Sequence, residues 1–351
     1  MKHWSIVVVV GLFLAAVAPA FGLTFNFNSA GGMSQEAIDG FAEAGASWSA
    51  FFSDDVTVNI DIDFTTLGAG ILGSANSSKV TYSYSSTRNA LINDSTTSSD
   101  ASAVSSLQSA SDLDLLINRT SNNPNGAGSA TPYLDNDGDA NNTTIRITRA
   151  NAKALGLLTG NNPTLDASIS FNDYYNWDFD ASDGITTGAF DFVGIATHEI
   201  GHTLGFVSGV DILDYNSSDP YFPDNAFTYV SILDFFRFSD DSLEEGAGVI
   251  DWTADTRNKY FSIDGGSTNL GRFATGTTWG DGRQASHWKD SLGLGVMDPT
   301  VAPVEELAIT DLDVLAFDVI GWDLNMVPEP STVILILTAL PVVVLFRRRR
   351  R

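Results

Sequence analysis

Only four histidines occur in the 351 residues, and three of them, His198, His202 and His287, restrict how the chain can fold. His198 and His202 stand in the run T-H-E-I-G-H-T-L-G-F. Four residues apart on an α-helix, their rings leave one face together and can close on a single ion. A catalytic zinc takes three protein ligands and keeps one position for water. Apart from His3 at the start of the chain, His287 is the one histidine left to supply the third. If it does, the chain must travel out and back through roughly eighty residues to set His287 beside the helix. Glu199, adjacent to the first ligand, projects beside the pair and can act as a general base.

The two ends place this site outside the cytoplasm. Lys2, an apolar run from Ile6 to Val17 and the small residues Ala18 to Gly22 read as a secretory signal peptide over 1–22. At the far end, Val327-Pro328-Glu329-Pro330 precedes an apolar stretch from Val333 to Phe346 and five arginines, Arg347 to Arg351. A helix of that length reaches about 21 Å against a hydrocarbon core of about 30 Å. This arrangement over 327–351 resembles the PEP-CTERM sorting signal of Gram-negative bacteria. The resemblance implies export, transient membrane association through the tail, and an exosortase-type processing enzyme as a partner. The alternative is a single-pass anchor held by its arginines on the cytoplasmic side.

Between Leu23 and Pro328 there are 12 Lys and Arg against 42 Asp and Glu, a balance near −30. That acidity excludes nucleic acid as a partner and suits solubility outside the cell. No cysteine occurs, so zinc-thiolate sites, thiol catalysis and disulfides are excluded.

Patterning predicts a strand at Leu23 to Asn28, an amphipathic helix from Ser34 to Phe52, and strands at Val56 to Phe64 and Val80 to Tyr84. It also predicts a helix from Ala101 to Leu116, a mostly loop stretch from Ser121 to Thr144, a short helix from Ala150 to Leu157 and a strand from Leu165 to Phe171. The site helix is expected from about 190 to 204, ended by Gly205. The strand before it is the candidate to bind a substrate backbone as an added strand. Inside the loop, Asp135, Asp137, Asp139 and Asn141 offer oxygens at alternate positions. They read equally as a Ca2+ loop and as an acidic turn without metal.

A run H-E-x-x-H-x-x-G-x-x-H would place a histidine at 208, where this chain has Ser208, yet Gly205 is kept. After the insertion come Ser286-His287-Trp288, then Gly295-Val296-Met297-Asp298-Pro299, then a helix-forming run from Ile309 to Trp322 with Thr310 and Asp313 at its start. In this order the segments resemble the leishmanolysin-like metzincins, zinc proteases in which an insertion separates the glycine from the third histidine. The resemblance spans about 190 to 322. It implies an α+β fold of two lobes, with a mixed sheet and the site helix in 23–205, and the third ligand, a Met-turn at Met297 and a closing helix in 206–326. It further implies one catalytic Zn2+ on His198, His202 and His287, Glu199 as catalytic base, and protein or peptide substrates.

Two other ligand sets remain open on the sequence: Asp211 in a His-His-Asp site, and Glu244 or Glu245 in a His-His-Glu site. Tyr215, Tyr221, Tyr229 and Tyr260 are candidates to stabilise an oxyanion, with nothing to choose among them. The functional alternative is a non-catalytic extracellular matrix or surface protein that retains the zinc fold. An intact Glu199 discriminates against it, since a purely structural site has no use for that residue.

Overall fold

The computed structural model describes residues 22–29 and 31–325. Of the expected leader only Gly22 falls within it, and the expected tail over 327–351 lies outside it. The fold is α+β. Four strands form the principal sheet: β1 (Thr24–Ser29), β2 (Thr57–Thr65), β3 (Gly73–Ser77) and, much later in the chain, β8 (Ala167–Asn172), in the order β1-β2-β8-β3. The first three neighbours run parallel and β3 runs antiparallel to β8. Among the described residues no helix is long and apolar enough to cross a membrane.

Helix α1 (Gln35–Ser49) begins where Ser34 caps the amide of Ala37, and buries Ala37, Phe41, Ala44 and Trp48 at the expected helical spacing. It packs against α6 (Phe192–Leu204), the helix carrying His198, Glu199 and His202. Gly40 allows this approach, since a Cβ there would stand 2.7 Å from the Phe192 ring. The Trp48 indole donates to the carbonyl of Thr197 at 2.9 Å, and the Phe41 ring meets Phe171 and Phe192 edge-on at 5.3 Å. Truncating such a buried ring costs about 3–5 kcal/mol, so α1 and the sheet fix the site helix firmly.

Beyond the sheet, β4 (Lys79–Ser83) pairs antiparallel with β7 (Thr144–Thr148), and the short helices α2 (Tyr84–Asp94), α3 (Ser98–Ser106), α4 (Ala140–Thr143) and α5 (Arg149–Ala154) lie around this ladder. After α6 come α7 (Val210–Asn216), α8 (Asp240–Glu245), a three-stranded sheet built from Arg237–Phe238, Lys259–Phe261 and Gly271–Phe273, and finally α9 (Asp311–Val319). The halves before and after Gly205 share one hydrophobic core. They also share a sheet, for β5 (Leu115–Ile117) pairs both with β6 (Tyr133–Asp135) and with the strand Ile250–Asp251.

Two expectations are corrected. The helix predicted from Ala101 to Leu116 ends at Ser106, and Leu115 to Ile117 form β5 instead. A short apolar run takes its structure from its partners, here strands far along the chain. The stretch from Ser121 to Thr144 is mostly loop, as expected, with only the short β6 and α4 inside it. The strand before the site helix, β8, has no free edge, because β2 and β3 bond it on both sides. The edges belong to β1 and to β3, and the one along the cleft is β3, G-S-A-N-S, a segment that lacks the apolar alternation of a strand.

Candidate metal centre

The turn after α6 sets the first half of the site. Gly205, at φ 129°, lets the chain leave the helix sharply, with the amide of Phe206 returning to the carbonyl of Gly201. The Phe206 carbonyl thereby meets Nδ1 of His202 at 2.7 Å. His198 Nδ1 donates to the carbonyl of Val296 at 2.7 Å, and His287 Nδ1 to that of Gln284 at 3.2 Å. A carbonyl only accepts, so each of the three rings carries its proton on Nδ1 and presents a bare Nε2 lone pair. The three Nε2 atoms lie 3.1, 3.2 and 3.2 Å from one another.

Three acceptors at that spacing repel unless a cation lies among them. Tetrahedral zinc with bonds of ~2.0–2.1 Å sets its nitrogens ~3.3–3.4 Å apart, close to what is found. The donors are neutral as well. Burial lowers His198 to about 4 and His202 to about 3, and holds His287 well below its usual value. The residues thus fit a borderline divalent ion taken by three imidazoles. No other group of three or more His, Cys, Asp or Glu ligand atoms lies within 4.8 Å of one another among the described residues.

The turn beneath the histidines is held from α9. Thr310 caps this helix in a reciprocal box with Asp313. Asp313, fully buried, also accepts from the Val296 amide at 2.8 Å, the Met297 amide at 3.4 Å and the Trp288 indole at 2.8 Å. One carboxylate therefore fastens the chain on both sides of Met297 and supports the Val296 carbonyl that orients His198. Gly295 leaves room for it, since a Cβ there would stand 2.0 Å from its oxygen. Met297 is buried against α6 at Gly201, where a Cβ would come within 2.5 Å of its sulfur.

Asp211, an alternative ligand on the sequence, is used differently. Its carboxylate accepts from the amide of Ala285 at 2.5 Å and the hydroxyl of Ser286 at 2.6 Å, clamping the segment that delivers His287. Glu244 and Glu245 are exposed on α8 and do not line the cleft. A second buried carboxylate, Asp234, gathers the Ser208 hydroxyl, the Gly209 amide, the Ser231 amide and the Trp252 indole at 2.6–3.0 Å, fixing the chain just after the site helix. Trp322 donates from its indole to Leu204 at 2.9 Å, a packing role.

Glu199 faces a cleft of about 820 Å³ lined by the three histidines and by β3. Burial raises its carboxyl to about 8, opposed by the backbone amide of Ala75. Gly73 makes the fit possible, because a Cβ there would lie 2.9 Å from Glu199 Oε1. Of the four tyrosines only Tyr229 lines the cleft. Tyr215 is 82% exposed, and Tyr260 gives its hydroxyl to the Gly266 carbonyl.

The acidic loop does not converge on a point. Asp135 accepts from the Asn141 amide at 2.6 Å, Asp137 from the backbone of Asp139 at 3.0 Å, and Asp139 caps α4. Its oxygens take part in the hydrogen bonds of the turn itself.

Comparisons with protein-family models, with curated proteins and with solved structures find no match to this chain.

Proposed function

We propose that this chain is an exported zinc-dependent endopeptidase of metzincin type, similar to the leishmanolysin-like enzymes, with His198, His202 and His287 as ligands and Glu199 as catalytic base. The observation that carries the reading is the convergence of three bare Nε2 atoms beside a buried glutamate in an open cleft. A zinc ion on the triad supplies a Lewis acid for the scissile carbonyl and lowers the pKa of water.

The chain's own residues do the rest. The free edge of β3 offers backbone donors and acceptors along which an extended peptide adds as a further strand. Glu199 takes a proton from the attacking water and returns it to the departing amine. Burial raises its proton affinity and a neighbouring cation lowers it, which together keep the carboxylate near the range that such a shuttle needs. The Nδ1 bonds to Val296, Phe206 and Gln284 hold the imidazoles in register. The tail resemblance adds release from the membrane by an exosortase-type enzyme.

Casein digestion by wild type and Glu199→Gln tests the reading. The variant keeps its metal and loses turnover; parental digestion by the variant refutes the mechanism, and a wild type that binds metal without digesting any protein favours the matrix or surface-protein alternative.

A further inference from the structure

Acids outnumber bases more than twofold here, and half of the bases among the described residues are held in ion pairs. Arg149 and Lys153 meet Asp166, Arg257 and Lys259 meet Asp255, and Arg283 meets Asp290. Lys79 and Arg146 are different: both line the cleft, and neither has a carboxylate within 4.0 Å among the described residues.

Their placement follows from the β4–β7 ladder. Lys79 is opposite Thr148 and Thr81 opposite Arg146, so Lys79 and Arg146 are diagonal neighbours on one face. Two like charges there oppose each other; after the desolvating wall of the cleft, the Arg146 charge lowers the Lys79 pKa, partly opposed by the charge of Asp211. Ser77, two residues before Lys79, donates its hydroxyl to the His202 carbonyl at 3.2 Å, which ties this face to the metal centre. The Arg146 guanidinium rests 4.8 Å from the centroid of the Tyr229 ring, which limits its freedom without neutralising it. Acids of the cleft are hydrogen-bonded to other groups, Asp211 to Ala285 and Ser286 and Asp298 to the Thr300 amide, while Glu199 stands at the reaction centre; the Asp211 charge still acts on Lys79, from beyond ion-pair distance.

We propose that Lys79 and Arg146 form an anion subsite beside the three histidines that selects peptides carrying an acidic side chain. An extended chain on the edge of β3 passes Ser77 and Lys79 on one flank of the scissile bond, and a Glu or Asp there relieves the repulsion between the two cations. The selection of cleaved peptides rests on the endopeptidase reading, whereas the binding preference does not.

The test uses quenched fluorescent peptides in which one Glu, Gln or Lys is moved along a neutral background. With wild type, Glu on one flank raises kcat/KM over Lys at the same position by roughly tenfold, and the ratio shrinks as salt rises. Lys79→Met/Arg146→Met brings the ratio near one, Lys79→Glu/Arg146→Glu inverts it, and Lys79→Arg keeps it. Anisotropy of the same peptides on Glu199→Gln protein reads binding without cleavage and follows the same order. A wild type that shows no charge preference by either readout, or a preference that survives the methionine pair in protein of unchanged thermal stability, overturns the subsite. If no peptide is cleaved but binding keeps its charge order and loses it in the methionine pair, the endopeptidase reading falls and the subsite stands.

Discussion

Asp313→Asn changes one atom of the carboxylate that organises the turn beneath the metal centre, and its cost can be worked from the bonds it breaks. One oxygen accepts from the Val296 amide and the Thr310 amide, both at 2.8 Å, and from the Thr310 hydroxyl at 3.0 Å. The other accepts from the Trp288 indole at 2.8 Å and the Met297 amide at 3.4 Å. Asparagine has one oxygen, and it best serves the side with three donors. Its NH2 group then faces the Trp288 indole and the Met297 amide, donor against donor, in a site sealed from water. Each buried donor left without a partner costs about 1–3 kcal/mol, so two of them lower stability by about 2–6 kcal/mol. The disturbance also reaches His198, whose Nδ1 leans on the Val296 carbonyl. Loss of such support typically weakens metal binding about 10–100-fold. Denaturant unfolding of the metal-free protein measures the first effect, and competition with a chromophoric zinc chelator measures the second. A variant within about 0.5 kcal/mol of wild type, with unchanged zinc affinity, refutes the reasoning.

Two further predictions concern neighbouring features. Gly73→Val places a side chain against Glu199 Oε1, where even a Cβ stands at 2.9 Å; kcat is expected to fall roughly a hundredfold while zinc content holds, and full turnover in a steady-state assay contradicts the role given to this glycine. Near the C-terminal end of α2, burial and then the charges of Asp323, Asp54, Asp100 and Asp318 raise Asp94 to about 8. An acid raised in the fold binds its proton more tightly there than when unfolded, so its contribution is favourable at low pH and is lost as pH climbs from about 4 towards 8. Asp94→Asn mimics the protonated form. It is expected to match wild type at pH 4 and exceed it by ~1–3 kcal/mol at pH 8.5, after allowance for solvent screening; equal unfolding midpoints at both pH values contradict the shift.

What the sequence made legible was the part in which local rules and chemistry coincide. The four-residue spacing of His198 and His202, the stop at Gly205 and the cap at Thr310 and Asp313 each follow from helix geometry, and the structure has them where they were expected. His287 was the one histidine left to complete a three-imidazole set, while Asp211 and Glu244 or Glu245 stayed open as alternative third ligands. The edge strand β3 was not legible, since G-S-A-N-S carries neither apolar alternation nor β-branched residues and becomes a strand only by pairing with β8. Nor could the clamps be told from ligands. Asp234 and Asp313 are buried and Asp211 half-buried, all three accept hydrogen bonds that fasten the chain, and a sequence gives an aspartate that ligates and one that clamps the same letter. The signal that could have separated Asp313 was its double use, at once the third residue of a capping box and one turn from Thr310 beneath the glycine–methionine segment.

The central claim is that three imidazoles, and no carboxylate, hold one ion. Zinc content by mass spectrometry, measured on wild type, His287→Ala and Asp211→Ala after equilibration with limiting zinc, tests it directly. The account predicts one zinc per chain in wild type, near-complete loss in His287→Ala, and retention at reduced affinity in Asp211→Ala, where only the clamp on Ala285 and Ser286 is gone. Full retention in His287→Ala, or complete loss in Asp211→Ala with the fold intact, contradicts it.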